Sequence, residues 1–104
     1  MDVHSILENC QGFVWDKGNS LKSWLKHHVS QGEAEQTFFN GPLLLVEDEK
    51  HSQDENRFRA LGYKQDNRHL YIVFMVRDQL IRVISARDMN KKERMIYEDH
   101  KTNT

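Results

Sequence analysis

Several features that mark other protein classes are scarce in this sequence of 104 residues. It contains a single cysteine, Cys10, so no disulfide can form within the chain. No apolar run approaches the roughly 18 residues that a membrane-spanning helix requires. The first residues also lack the basic segment and the long apolar stretch of a signal peptide. These absences argue against a disulfide-rich secreted scaffold and a helical membrane protein, and we expect a cytoplasmic protein with no membrane partner.

Net charge is nearly absent as well, because 15 lysines and arginines are balanced by 16 acidic residues. A formal charge of -1 is unlike that of a general nucleic-acid-binding protein. The charges are unevenly distributed, however. Residues 47–56 contain five acids and one lysine, whereas residues 77–94 contain six basic residues and three acids. This nearly neutral chain can therefore present one basic surface and one acidic surface.

The first part of the chain has the pattern of a strand followed by two helices. Residues 13–15 are a short apolar run typical of a strand. A helix is predicted over residues 18–28 by apolar and aromatic side chains at the spacing of one helical face: Leu21, Trp24, Leu25 and His28. Ser30 and Glu33 have the spacing of a capping box, which predicts a second helix that continues to Asn40. Gly41 and Pro42 would end that helix.

The second part of the chain changes to strand periodicity. Strands are predicted over residues 43–46, 57–61, 70–76 and 80–87. Asn90 and Glu93 repeat the capping spacing and predict a last helix. The order predicts an α+β fold in a single domain over residues 1–104, with two N-terminal helices, an antiparallel sheet of three to four strands and a C-terminal helix.

Four sequence blocks follow one another in a specific order: FVWD at 13–16, KHHVSQGEA at 26–34, EDEKHSQDENRFRALG at 47–62 and IRVISARDMNKKERMIYE at 81–98. Their order and spacing resemble the BrnT family of bacterial type II toxins, ribonucleases with a RelE-like fold. The resemblance implies RNA cleavage that inhibits translation, and neutralisation by a BrnA-like ribbon-helix-helix antitoxin. It also implies contact with DNA only indirectly, through the antitoxin, as the pair represses its own operon. A homodimer is left open.

Four positions depart from the family pattern, one of which, Asn90 in place of threonine as the helix cap, leaves the mechanism unchanged. His28 stands where the family favours glycine, Gln31 replaces an aromatic residue, and Ser23 stands where asparagine is frequent. If that asparagine takes part in the site, its replacement by serine puts the activity of this chain in doubt. The alternative function is therefore a catalytically inactive partner module, retained for antitoxin binding and operon autoregulation.

Cleavage by the RNA's own 2′-hydroxyl needs a base, an acid and positive charge in the transition state. Arginine suits the last role because its planar fork grips two phosphate oxygens. Arg57 and Arg59 share one face of a predicted strand, but strict alternation places Arg82 and Arg87 on opposite faces unless a bulge intervenes. We expect a catalytic role for Arg87, at the end of its strand. The residues expected to bind RNA are Arg57, Arg59, Arg82, Lys91, Lys92 and Arg94.

His51 is the candidate acid or base, since imidazole titrates near neutral pH, and Glu55 could orient it. Lys26, which matches the family pattern, is a further catalytic candidate. The alternatives are a loop in which His51 caps local amides, and a solvated sheet face whose arginines pair with neighbouring acids at positions 47, 48 and 55. Arginines beside these acids would compete with a cation. We therefore expect a metal-independent endoribonuclease with no metal site and no cofactor.

Overall fold

The structure, a computed structural model, describes residues 3–48, 57–64 and 67–102. In chain order these residues form α1 (Val3–Glu8), β1 (Gly12–Trp15), α2 (Lys17–His27), α3 (Gln31–Phe39), β2 (Leu44–Asp48), β3 (Arg57–Tyr63), β4 (His69–Arg77), β5 (Leu80–Asp88) and α4 (Lys91–Thr102). The predicted α+β class and C-terminal helix are confirmed. Helix α1 was not predicted, because its six residues make fewer than two turns and give little periodicity. Within the described ranges, no helix is both long and apolar enough to cross a membrane.

The sheet is larger than predicted and is not purely antiparallel. Among the described residues, five strands pair in the order β1-β5-β4-β3-β2. Strands β2 to β5 are antiparallel neighbours, but β1 runs parallel to β5. The prediction of three to four antiparallel strands was therefore wrong in the strand number and in this parallel edge. Parallel partners are joined by long connections, so local sequence patterns do not reveal them.

One face of the sheet forms the core together with helices α1, α2 and α3. Phe58 and Ala60 of β3 are buried there, as their predicted alternation requires. Phe74 of β4 has no exposed surface, and the ring of Phe38 from α3 meets it edge-on at a centroid distance of 5.2 Å. Ala34, one turn earlier in α3, is also fully buried. Burial of this apolar face fixes the direction of every side chain on the opposite face, because alternate residues of a strand point to opposite sides.

A β-bulge in β5 changes that alternation partway along the strand. Phe74 pairs with Val83, but the preceding Val73 pairs with Ser85, so Ile84 is an extra residue on β5. The buried positions of β5 accordingly run 81, 83 and then 86. The extra residue shifts the alternation of side chains by one position. As a result, the side chains of residues 82 and 87 lie on the same side of the sheet. The structure therefore follows the exception stated for the two β5 arginines: a bulge places them on the same face rather than on opposite faces.

Arg68 fastens the junction between α2 and α3 to the end of β5. Its Nε donates to Asp88 at 2.7 Å, and its Nη1 and Nη2 donate to the carbonyls of His28 and His27, both at 2.9 Å. Nη1 also donates to Glu33 at 3.1 Å. The hydrogen bond from Arg68 is the main reason that the pKa of Asp88 is lowered. His28 ends α2 at φ 55° and ψ 38°, in the left-handed region where a glycine would be unstrained.

Helix α4 is anchored to the rest of the molecule by Tyr97. This side chain has no exposed surface, and its hydroxyl donates to the carbonyl of Pro42 at 2.6 Å. Burial raises the pKa of Tyr97 to about 12. Only two residues separate the end of β5 from the start of α4, so the first turn of α4 lies next to the carboxyl end of β5.

Candidate nucleic-acid interface

Four arginines lie on the sheet face opposite the core. Cross-strand pairing places them in three rows, Arg57–Met75–Arg82, Arg59–Val73–Ser85 and Leu61–Tyr71–Arg87. Directly paired residues project to the same side of a sheet. We call the surface formed by Arg57, Arg59, Arg82 and Arg87, with the β4 side chains between them, the arginine face. All four arginine side chains are partly exposed, so they can reach a polyanion while their stems cover apolar surface.

Arg87 is firmly held by its neighbours. Its Nη1 and Nη2 donate to the two carboxylate oxygens of Glu93, at 2.8 and 2.7 Å, and Nη1 also donates to the carbonyl of Asp88 at 3.0 Å. The guanidinium lies 4.2 Å from the centroid of the Tyr71 ring. Hydrogen bonding to Glu93 raises the pKa of Arg87. Arg87 thus has one fixed orientation, and the edge formed by Nε and the second Nη2 hydrogen has no acceptor among the described residues.

Glu93 connects this arginine to the start of α4. The N–H of Asn90 donates to Glu93 Oε1 at 2.9 Å, and the N–H of Glu93 donates to Asn90 Oδ1 at 2.8 Å, which confirms the predicted cap. The carboxylate therefore serves the helix and Arg87 at the same time. Burial by itself would raise the pKa of Glu93, but hydrogen bonds from Arg87 and from the Asn90 backbone lower it below its ordinary value.

Arg59 and Arg82 have fewer protein contacts than Arg87. The Nε of Arg59 is buried and has no hydrogen-bond partner among the described residues. A buried donor without an acceptor costs about 1–3 kcal/mol. The nearest carboxylate to Arg82 in the described chain is Asp16, at 3.7 Å, and both side chains are substantially exposed. Such an exposed and long ion pair contributes little and is easily replaced by a phosphate.

The remaining predicted site residues fall in three places. Lys91, Lys92 and Arg94 are exposed on the first turns of α4, which Glu93 joins to the arginine face. Lys26 is exposed on the last turn of α2, and no described contact joins it to that face. The last two candidates, His51 and Glu55, lie outside the described residues.

The acidic partners of Arg82 and Arg87 are not the acids considered in the sequence, whereas Asp48 is the cross-strand neighbour of Arg57. Arg87 pairs with Glu93 and Arg82 with Asp16, whereas Glu47 is paired in register with Phe58 and so belongs to the opposite side of the sheet. The role of Glu93 as the partner of Arg87 was missed, although the sequence marked it as a helix cap. The only signal in the sequence for this pairing was the presence of an acidic residue in the basic segment at residues 77–94.

These features define a class: a small α+β protein with a basic sheet face bordered by the start of a basic helix, an arrangement suited to a polyanion. The family model described as ribonuclease toxin, BrnT, of type II toxin-antitoxin system matches residues 15–93. The chain therefore belongs to the BrnT ribonuclease toxin family, and the resemblance seen in its sequence blocks is confirmed.

A solved structure shows the same fold. The chain is similar to the ribonuclease toxin BrnT of Brucella abortus, whose crystal structure was determined at 1.1 Å resolution. The two share 15% sequence identity with a TM-score of 0.59, over 78% of this chain and 99% of the Brucella chain. Among curated proteins no sequence matches. At this low identity the likeness establishes the shared architecture alone.

Proposed function

We propose that this chain cleaves RNA without a metal ion and inhibits translation, using the arginine face to bind the phosphate backbone. The observation that carries the proposal is the bulge at Ile84, which places Arg82 and Arg87 beside Arg57 and Arg59 on one surface. Several arginines on one face of a sheet do not increase the stability of the fold, because like charges on neighbouring strands repel each other. A surface that receives phosphates does gain from them.

Arg87 is proposed to contact the phosphate that is cut. Its Nη1–Nη2 fork is occupied by Glu93, so the edge formed by Nε and Nη2 is left for two phosphate oxygens. Stacking on Tyr71 and the bond to Asp88 hold the guanidinium in place before RNA arrives. A preorganised cation of this kind stabilises the extra negative charge of the transition state without reorganising. Arg59 lies close enough to Glu93 to lower the pKa of that carboxyl, so it adds a second positive charge near Arg87.

The reaction itself is proposed to be attack of the RNA 2′-hydroxyl on the neighbouring phosphorus. The bond to the 5′-oxygen of the next nucleotide breaks, one group removes the 2′ proton, and another protonates the leaving oxygen. His51, oriented by Glu55, and Lys26 are the candidates for these proton transfers. Lys91, Lys92, Arg94, Arg57 and Arg82 are proposed to bind flanking phosphates, since each lies on or next to the arginine face.

Regulation follows from membership of a type II toxin family, for which an antitoxin is implied. We propose a BrnA-like ribbon-helix-helix antitoxin as the partner, with DNA contacted only through it. We further propose that the protein acts in the cytoplasm, as one RelE-like toxin domain. The basic character of the arginine face favours an acidic antitoxin segment as its competitor for RNA.

One experiment tests the chemistry. A short RNA is incubated with the purified protein at fixed salt, with and without excess chelator, and a second RNA carries a 2′-deoxy nucleotide at the mapped cleavage position. Full cutting in chelator and no cutting of the deoxy substrate are expected. Loss of activity in chelator that is restored by magnesium or manganese, or cutting of the deoxy substrate at the same bond, would contradict the proposal. A protein that neither cuts RNA nor arrests growth would instead be the inactive partner module.

A further inference from the structure

The apolar side of α2 faces away from the core. Leu21, Trp24 and Leu25 are 58%, 49% and 66% exposed, whereas Ser23, on the other side of the helix, is 2% exposed. The hydroxyl of Ser23 accepts a hydrogen bond from the N–H of Ala86 at 3.3 Å, so α2 contacts β5 through a small polar residue. The stripe that predicted this helix in the sequence is therefore not used by the fold. We call Leu21, Trp24 and Leu25 the α2 stripe.

A groove beside the α2 stripe deepens this surface. It lies between α2 and the start of α3, has a volume of ≈ 360 Å³, and is bordered by Trp15, Leu21, Trp24 and Gln31 among others. Its walls are fixed, because Trp15 Nε1 donates to Glu35 at 2.8 Å and Gln31 Nε2 donates to Ser20 at 2.8 Å. A preformed groove next to exposed aromatic and aliphatic side chains is the usual form of an interface anchor point.

The charges around the stripe define the occupant. Lys17, Lys22 and Lys26 are exposed on α2, and no acidic residue occurs within the helix. Lys17 precedes Leu21 by one turn and Lys22 precedes Leu25 by three positions, so both lie next to the stripe. An apolar stripe with i, i+3 and i+4 spacing fits the apolar side of a second helix. Basic neighbours favour acidic residues on that helix.

We propose that the α2 stripe docks an acidic amphipathic helix of the cognate antitoxin, at a surface separate from the arginine face. This inference rests on the antitoxin pairing in the proposed function. The antitoxin then has two kinds of contact, an apolar anchor on α2 and the competition with RNA described above. Removing the anchor gives a toxin that keeps its own activity and escapes neutralisation.

The test uses the purified full chain titrated with the ribbon-helix-helix protein encoded beside it. The variants are Leu21→Ser with Leu25→Ser, which removes two exposed apolar side chains, and Lys22→Glu, which reverses one charge. Phe39→Ser is the matched control, because Phe39 is 78% exposed on a different helix. Circular dichroism melting checks that all variants fold, which their exposure favours.

The double leucine variant is expected to bind the antitoxin roughly 30-fold more weakly than the wild type, because each of the two anchor residues contributes about 1 kcal/mol. Lys22→Glu should lower the association rate about 5-fold at low salt and less at high salt. Phe39→Ser should bind like the wild type. In growth assays the antitoxin should rescue cells that express wild-type toxin but not those that express the leucine variant.

Each other outcome has a definite meaning. Unchanged affinity of the leucine variant would overturn the docking proposal. So would a wild-type dimer that the leucine substitutions dissociate while antitoxin affinity stays the same, because the occupant would then be a second copy of this chain. No binding by the wild type would refute the antitoxin pairing as well. Binding that depends on the stripe, without growth arrest, would support docking and count only against the ribonuclease proposal.

Discussion

The contact between Glu93 and Arg87 can be tested by replacing Glu93 with glutamine. Glutamine keeps the shape and an oxygen that can cap α4 through the Asn90 N–H, but it removes the negative charge opposite Arg87. Hydrogen bonds to charged groups contribute about 1.5–3 kcal/mol when well formed. The two side chains are 33% and 16% exposed, which reduces the electrostatic part. We expect Glu93→Gln to lower the free energy of unfolding by about 1–2 kcal/mol, or roughly 5–10 °C in Tm for a domain of this size.

The pH dependence gives this prediction a second readout. Because the pKa of Glu93 in the folded protein is below its ordinary value of 4.5, the charged form stabilises the fold. This stabilisation is complete above the unfolded-state pKa and is lost as the pH falls through the folded-state pKa. The stability difference between wild type and Glu93→Gln should therefore be constant above about pH 5.5 and should shrink below about pH 4.5.

Urea unfolding of four proteins measures the pairing directly: wild type, Glu93→Gln, Arg87→Ala and the double variant. A coupling energy of about 1 kcal/mol or more is expected between the two sites. Glu98→Gln is the matched control on the same helix, since Glu98 is 48% exposed and makes one 3.3 Å contact with His69. Additive effects within about 0.3 kcal/mol, or a difference that does not change with pH, would refute the reasoning.

Three further predictions follow from single positions. His28→Gly should raise the free energy of unfolding by about 0.5–1 kcal/mol in thermal or urea melts, because His28 has a φ of 55°, which strains a residue with a Cβ. A loss of stability would show that the ring contact between His28 and Trp24 outweighs this strain. Gly62→Ala should lower the free energy of unfolding by about 1–3 kcal/mol, because a Cβ there would lie 2.9 Å from both Leu43 and Thr37. Gly32→Ala is the control in helix α3: its Cβ would meet nothing within 4 Å, so this variant should be more stable than the wild type. Equal effects at the two sites would contradict this packing argument. Arg82→Ala should reduce the salt dependence of binding to a 2′-deoxy-blocked RNA by about 0.7 in the log–log slope, and an unchanged slope would remove Arg82 from the phosphate contacts.

Local rules were sufficient for helices α2, α3 and α4 and for several site residues. The capping boxes at Ser30–Glu33 and Asn90–Glu93 were predicted from three-residue spacing and are confirmed, because a cap depends on neighbouring amides alone. The alternation of Phe58 and Ala60 likewise predicted which side of β3 is buried. Arginines 57 and 59 were placed on one face by the same alternation.

Contacts between distant segments decided the rest. The parallel pairing of β1 with β5 and the clamp formed by Arg68 join positions that are far apart in the chain. The bulge at Ile84 lies within the β4–β5 hairpin, but strand alternation alone does not show where an extra residue is inserted. The bulge matters most for the candidate site, because a single extra residue in β5 reverses the side of every residue after it and so unites Arg82 with Arg87. The α2 stripe is a related case, because its spacing specified a helix with an apolar side. Whether that side faces the core depends on how α2 packs against β5, and here α2 contacts β5 through Ser23 instead.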